Sequence, residues 1–190
     1  MLGDACADLV VRTGLDEYDT KRQLRPEVTC GGSAANTATL LARLGKPVAF
    51  VGSVGRDSFG GMISGHLSGA GVDISGLINL EGEFTTVVVA LVALDGTHSL
   101  MGWPRREGAD LLLDPLDVNL TSFEEAAWFH STGFSLVKNP TRETLFLALE
   151  YAHNKGVPIS LDLNLRLGLV DGVLAKEYES YLWKAIELSD

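Results

Sequence analysis

The most informative residues of the chain are Gly31-Gly32-Ser33-Ala34-Ala35-Asn36-Thr37-Ala38, with six residues before Gly45 and nine more before Gly55. Glycine has no side chain, so the backbone in this stretch can approach a ligand closely. The Asn36 amide can both donate and accept hydrogen bonds. Small residues around one polar amide are therefore suited to a ligand that carries many hydroxyl groups.

The residues on either side of this stretch predict an α/β fold. Leu9-Val10-Val11 is the tail of a strand that begins at or before Met1, and residues 33–44 predict a helix that ends at a glycine. A strand over 48–51 follows, and then a helix that Asp57 can cap. Short apolar runs that alternate with helical patterns are typical of a mostly parallel sheet with helices on its faces.

The second half of the chain returns to the same alternation. Strands are predicted over 128–132 and 158–163, and residues 139–156 predict a helix that Asn-Pro caps and opens and that a glycine stops. The last helix is predicted over 175–188. Residues 121–124, Thr-Ser-Phe-Glu, have the spacing of a capping box at a helix start.

One region departs from this alternation. Residues 85–94 and 99–103 are rich in apolar side chains and flank Asp95-Gly96, which predicts an antiparallel hairpin because glycine tolerates positive φ. The hairpin could lie at an edge of the main sheet or belong to a separate small sheet that covers a cleft. We favour the separate sheet.

Composition limits the classes of partner. The 190 residues are 46% hydrophobic, which is enough for one sizeable domain with a core. A net charge of −10 disfavours nucleic acid and anionic membrane surfaces but not a small neutral substrate. There is no apolar run long enough to span a membrane and no signal-like N-terminus, so we expect a cytoplasmic protein.

The cysteines, the histidines and the search for nucleotide-binding motifs add little to the prediction of function. Cys6 and Cys30 are too few for a disulfide framework and are predicted to be reduced, small core residues. The four histidines are scattered and predict no metal cluster. Neither a dinucleotide fingerprint nor a Walker loop is present in the sequence.

The spacing from Gly31 to Gly55 fits the first signature of the ribokinase-like (PfkB) carbohydrate kinases without a gap, and the chain resembles that family. Residues 3–8 resemble the family's first strand with its sugar-binding Asp, and residues 54–60 resemble its next loop. Other parts resemble motifs of the fructokinase and 2-keto-3-deoxygluconate kinase branch; they are residues 105–110, 130–133 and 162–166.

The resemblance implies a doubly wound, mostly parallel sheet with a small antiparallel β lid over the sugar. The lid segments would lie near 9–30 and 85–103, and residues 1–190 would form one incomplete α/β domain, truncated at its C-terminus. Such a lid excludes water from the reacting groups. In some members of the family the lid strands pair with a second copy, so a homodimer through the lid is a further expectation.

The resemblance also implies a substrate-binding site. Asp8 would hold two neighbouring sugar hydroxyls, the amides of Gly31 and Gly32 would face a ligand oxygen, and arginine forks would meet phosphate or a carboxylate. Structural roles are the alternatives: a cap or turn for Asp8, a tight turn for the glycines, a tie at the helix start for Asn36, and surface positions for the arginines. The implied set is Asp8, Gly31, Gly32, Asn36, Arg105, Asn164 and Arg166, with Arg106 as a further candidate.

The implied activity is transfer of phosphate from ATP, with Mg²⁺, to a hydroxyl of a small-molecule sugar. Contact between Arg166 and a carboxylate would favour a keto-sugar acid, and otherwise a neutral ketohexose such as fructose or a nucleoside-like sugar is preferred. The alternatives are a nucleoside kinase and a sugar-binding chain without catalysis. A generic α/β domain of unrelated chemistry is the least favoured.

One motif of the family is missing from this sequence. A late Gly-Ala-Gly-Asp segment supplies the catalytic base there, and the lookalike over residues 69–73 has an extra valine and is predicted to be a helix end and turn. We therefore expect the chain to contain no catalytic residue, to hold the sugar-binding half, to lack most of the nucleotide site, and to be inactive alone.

Overall fold

Strands and helices make up most of the described part of the chain, which in this computed structural model comprises residues 1–12, 26–93, 95–103, 107–165 and 172–190. The strands are β1 (Cys6–Arg12), β2 (Glu27–Gly31), β3 (Ala49–Gly55), β4 (Asp73–Leu80), β5 (Val87–Val92), β6 (His98–Trp103), β7 (Phe129–Thr132) and β8 (Ile159–Asp162). The α-helices are α1 (Ser33–Arg43), α2 (Ser58–Gly69), α3 (Thr141–Asn154) and α4 (Gly172–Glu187). Short 3₁₀ turns lie at Ala109–Leu111, Pro115–Asp117, Leu120–Phe123 and Gly133–Leu136.

A parallel layer forms the centre of the fold. β3 pairs with β4 and β7 with β8, both in parallel, and Leu2 bridges Val51 on one side and Ser131 on the other. The layer therefore runs β4, β3, Leu2, β7, β8. The expectation that Leu9-Val10-Val11 is the tail of a strand that begins at or before Met1 is wrong, because these residues belong to β1, which begins at Cys6, and the start of the chain joins the parallel layer through Leu2. We call these elements the parallel layer.

Helices cover both faces of the parallel layer. One buried cluster joins Phe129 and Ile159 to helices α3 and α4, and another joins Phe50 and Val54 to α1 and α2. Neighbouring residues of a strand point to opposite faces, which is why Phe50 and Val51 enter different clusters. The predicted doubly wound α/β architecture is confirmed.

A second sheet has the order β2-β1-β5-β6. β5 and β6 form the predicted hairpin, whose turn contains Gly96 at φ 87°. The prediction that the hairpin belongs to a separate sheet is confirmed, and the alternative that it lies at an edge of the main sheet is wrong. The expectation of a wholly antiparallel sheet also needs correction, because β1 and β5 pair in parallel. Both strands leave the parallel layer directly, β1 after Leu2 and β5 after β4, and so they run in the same direction.

Two predicted helix starts differ from the structure. Residues 121–124 do not begin an α-helix; they belong to a 3₁₀ turn that the Asn119 side chain caps through the Thr121 N–H at 3.1 Å. Capping-box spacing does not suffice where no amphipathic helix follows. Helix α3 begins as expected near Pro140, but the N-cap residue is Pro140 itself, without a side-chain cap from Asn139.

The other local predictions are confirmed. Asp57 caps α2 through the Gly60 N–H at 2.8 Å, and α2 ends at Gly69 with Gly71 at φ 89°, so residues 69–73 form a helix end and turn. Cys6 and Cys30 are both free. Among the described helices, none is long and apolar enough to cross a membrane.

Candidate functional site

The link between β2 and α1 contains two glycines, and Gly32 is required there by its backbone conformation and by its contact with other backbone atoms. Gly32 has φ 97°, and a β-carbon there would lie 2.5 Å from the Asp4 carbonyl oxygen. A β-carbon at Gly31 would lie 2.3 Å from Oδ2 of Asp8. The Asp8 carboxylate therefore lies directly against the glycine link, and a side chain at Gly31 would displace it.

The carboxylate of Asp4 lies at the N-terminus of α1, although Asp4 was not among the predicted site residues. Its carboxylate accepts hydrogen bonds from the Ser33 N–H at 2.8 Å, the Ala34 N–H at 3.3 Å and the Thr132 hydroxyl at 3.0 Å. Asp4 is buried, so these donors compensate its desolvation. The positive end of α1 is thus satisfied by the protein's own carboxylate.

Asp8 has a different environment. It is half-buried, and within the described part of the chain its recorded hydrogen bond comes from the Cys6 thiol at 3.6 Å. Burial is the main reason that the pKa of Asp8 lies above its usual value; the Cys6 bond lowers it and the charge of Asp4 raises it further. A carboxylate without strong donors retains its capacity to accept hydrogen bonds from a ligand.

The two asparagines of the predicted site lie at the same link. Asn36 is one turn into α1, where its N–H donates to the Gly32 carbonyl at 2.9 Å and its side chain is exposed. Asn164 follows β8 with φ 37°, and its side-chain NH₂ donates to the Ser33 hydroxyl. The structure thus brings the asparagines and Asp8 around one glycine pair. Arg105, Arg106 and Arg166 lie outside the described residues.

Among the residues that the structure describes, the other charged side chains near this link are acidic. Asp110 is buried, and burial raises its pKa to about 7, while a hydrogen bond from the Thr86 hydroxyl acts in the opposite direction. Burial and the nearby Asp8 also raise the pKa of the Cys6 thiol. Carboxylates and amides are suited to hydroxyl groups, and the charge of the carboxylates repels phosphate. The described residues contain no group of three or more His, Cys, Asp or Glu that could hold a metal ion.

Comparison with known proteins decides the family. The model of the pfkB family of carbohydrate kinases matches residues 1–184. The chain belongs to the pfkB family.

This pfkB family chain is similar to curated fructokinases. It is 37% identical over 160 residues to a fructokinase of Solanum tuberosum, which covers 84% of this chain and 48% of that protein. The chain thus spans about half the length of the curated relatives that it matches.

Solved structures of the family share the fold over the whole chain. Fructokinase from Xylella fastidiosa with bound ATP superposes with a TM-score of 0.87 at 29% identity, covering 100% of this chain and 58% of that one. An uncharacterized sugar kinase from Pyrococcus horikoshii in complex with ATP has a TM-score of 0.85 at 28% identity, covering 100% and 60%. The fold is therefore the ribokinase-like α/β fold of sugar kinases.

Proposed function

We propose that the whole protein is a sugar kinase that uses Mg-ATP and a ketohexose or keto-sugar acid, with fructose as the first candidate. The sugar hydroxyl oxygen would form a bond to the γ-phosphorus as the bond to the β,γ-bridging oxygen breaks, and the hydroxyl proton would leave to a base. The similarity to fructokinases supports the substrate class.

One observation carries the proposal. The Asp8 carboxylate lies against the glycine link beside the start of α1 and lacks strong donors among the described residues. The two oxygens of a carboxylate can accept hydrogen bonds from two neighbouring hydroxyl groups, and a sugar offers such pairs of hydroxyls. Asn36 and Asn164 would add an exposed amide and a second amide at the same link, and Gly31 and Gly32 would allow close approach.

The second sheet is proposed to act as the lid over this sugar. Asp8 is part of β1 and pairs with Thr29 on one side and Val88 on the other. The residue proposed to bind the sugar therefore lies on a central strand of the second sheet. A sheet that covers the sugar would keep water away from the transferring phosphoryl group. Residues 9–30 and 85–103 would then form the lid, with residues 13–25 outside the described part.

We propose that these 190 residues supply sugar binding and not phosphoryl transfer. Phosphoryl transfer depends on positioning and charge stabilisation around the phosphates, and the described residues near the link are acidic. The base, the nucleotide contacts and Mg²⁺ ligands would come from the part of the relatives that this chain does not match.

Calorimetry and a coupled assay on the 190-residue chain test this. We expect heat of binding with fructose, none with an Asp8→Ala variant, and the same affinity with and without ATP. An ATP-coupled assay with fructose, ribose and 2-keto-3-deoxygluconate should show no turnover above Asp8→Ala. Turnover above that of Asp8→Ala would refute the proposal that these residues bind sugar without transferring phosphate. Equal fructose binding by the unchanged chain and by Asp8→Ala would refute the role of Asp8.

A protein of the relatives' length that contains these residues separates the remaining candidates. Turnover with fructose or 2-keto-3-deoxygluconate identifies the proposed sugar kinase, and preference for adenosine identifies a nucleoside kinase. Sugar binding without turnover or nucleotide dependence identifies a non-catalytic sugar-binding protein.

We also propose that two copies associate through the face of the second sheet opposite Asp8. The pairing register puts a row of apolar residues on that face: Leu9, Val28, Val89 and Met101. Two of their side chains are largely exposed, Val28 at 43% and Met101 at 57%. Light scattering should show that Met101→Lys lowers the mass toward a monomer. The matched Leu100→Lys variant, on the Asp8 face, should leave it unchanged.

A further inference from the structure

Residues 81–86 carry the chain from β4 in the parallel layer to β5 in the second sheet. Within this crossing, Thr85 is 1% exposed although its side chain is polar. A buried hydroxyl requires partners, and the partners show what the crossing is attached to.

Asp57 holds Thr85 with both carboxylate oxygens. The Thr85 N–H donates to Oδ2 at 2.8 Å, and the Thr85 hydroxyl donates to Oδ1 at 2.8 Å. The hydroxyl also accepts from the Gly55 N–H at 2.9 Å. Because Asp57 is at the same time the cap of α2, Thr85 is tied to the end of β3 and to the start of α2 together.

Two glycines bring these elements into unusually close contact. A β-carbon at Gly60 would lie 2.0 Å from the Gly55 carbonyl oxygen, and one at Gly55 would lie 2.6 Å from the Thr85 nitrogen. Residues 81–86 therefore lie directly against the backbone of Gly55. Their position depends on the hydrogen bonds of Thr85 rather than on adjustable side-chain packing.

The attachment continues to Asp8 through one residue. The Thr86 carbonyl accepts from the Ala7 N–H at 2.8 Å, and from there β1 and β5 run in parallel with Asp8 opposite Val88. A shift of Thr85 would thus move the strand that carries Asp8 relative to the start of α1.

We propose that Asp57 and Thr85 are a positioning pair that sets where the Asp8 carboxylate lies over the glycine link, and through it the affinity for sugar. Neither residue is proposed to touch the sugar, and the inference rests on the proposed sugar binding by Asp8. Burial raises the pKa of Asp57, but hydrogen bonds from Thr85 and Gly60 leave that pKa below its usual value. Its carboxylate therefore stays ionised and its hydrogen bonds are charge-assisted.

Threonine variants of the 190-residue chain test the pair. Thr85→Val keeps the shape and removes the hydroxyl, and Thr85→Ser keeps the hydroxyl. The control Thr121→Val removes a threonine hydroxyl bond to the Asn119 side chain in an exposed 3₁₀ turn outside the second sheet. We expect Thr85→Val to weaken fructose binding about tenfold in calorimetry, a change typical of one lost hydrogen bond. Thr85→Ser and Thr121→Val should stay within about twofold of the unchanged chain.

Hydrogen exchange separates this inference from the proposed function. Thr85→Val should speed exchange at the Ala7 and Asp8 amides and leave the β7 amides unchanged, whether or not fructose binds. Unchanged exchange, or unchanged affinity with Thr85→Val, overturns the positioning pair. Absence of fructose binding by the wild type overturns the proposed function, and exchange still tests the attachment.

A second variant covers the case in which Thr85→Val does not fold. Asp57→Asn can still cap α2 with its carbonyl oxygen, but its NH₂ group then meets the Thr85 N–H. It should show the same loss of affinity and the same faster exchange at Ala7. Wild-type behaviour of Asp57→Asn would overturn the inference in the same way.

Discussion

Asp4 and Asp8 are four residues apart at the start of the chain, and the fold uses their carboxylates for different purposes. Asp4 is 7% exposed and accepts from two amides of α1 and from the Thr132 hydroxyl. Asp8 is half-buried and has a thiol at 3.6 Å. Among the described residues, Asp4 is thus surrounded by protein donors and Asp8 keeps acceptor capacity, and we propose that Asp8 is the carboxylate that receives a ligand.

Removal of the Asp4 carboxylate should have the largest effect on the comparison. Asp4→Ala leaves three donors without their acceptor in a buried place, so the free energy of unfolding should fall by about 3 kcal/mol. Urea denaturation measures this, with Asp117→Ala at an exposed position as the control, expected within about 0.5 kcal/mol of wild type. A loss for Asp4→Ala no larger than that of the control would contradict the structural role.

Neutralisation of Asp8 should act on binding instead. Asp8→Asn keeps the shape and removes the charge, so fructose affinity should fall by about 2 kcal/mol, roughly 30-fold. The free energy of unfolding should not fall, because no strong donor to the Asp8 carboxylate lies among the described residues. The control is Glu27→Gln, on the same sheet face beside Val10. If Asp8→Asn destabilises the fold and leaves affinity unchanged, the contrast with Asp4 disappears.

A third carboxylate sharpens the comparison through its pH dependence. The pKa of Asp57 is below its usual value, so its hydrogen bonds stabilise the fold above the unfolded-state value of about 4 and are lost as the pH falls through the folded-state value. The stability difference between wild type and Asp57→Asn should therefore shrink on acidification below about pH 4. Urea titrations at several pH values measure it, and a difference that stayed constant would argue against an ionised, hydrogen-bonded carboxylate.

The smallest expected effect lies in the hairpin of the second sheet. Gly96 has φ 87°, where an alanine is strained, and Gly96→Ala should cost about 1 kcal/mol of unfolding free energy. Gly102→Ala is the matched control, since a β-carbon there has nothing within 4 Å. Equal stability of both variants in thermal denaturation would show that the turn does not constrain this sheet.

Predictions made from local signals agree with the structure where the physical cause is also local. The helix after Asp57 begins at its own cap, and the Asp95-Gly96 turn joins neighbouring strands, because the residues that determine these features lie within a few positions of one another. The capping-box spacing of residues 121–124 failed because a cap does not make a helix without an apolar face that packs.

Partners far apart in the sequence could not be predicted. Asp4 lies 29 residues from Ser33 and 128 from Thr132, and no spacing rule joins them. The second role of Asp57, toward Thr85 at a separation of 28 residues, depends in the same way on where the crossing passes. The parallel pairing of β1 with β5 also follows only from the path of both strands out of the parallel layer.

Local sequence was sufficient for the alternation of strands and helices, the glycine link next to Asn36, and the resemblance to sugar kinases, because these depend on residue type and spacing along the chain. Only tertiary structure distinguished Asp4 from Asp8 and attached Thr85 to Asp57. The physical reason is that the role of a carboxylate is set by the donors within about 3 Å of its oxygens, and folding brings those donors from distant parts of the chain.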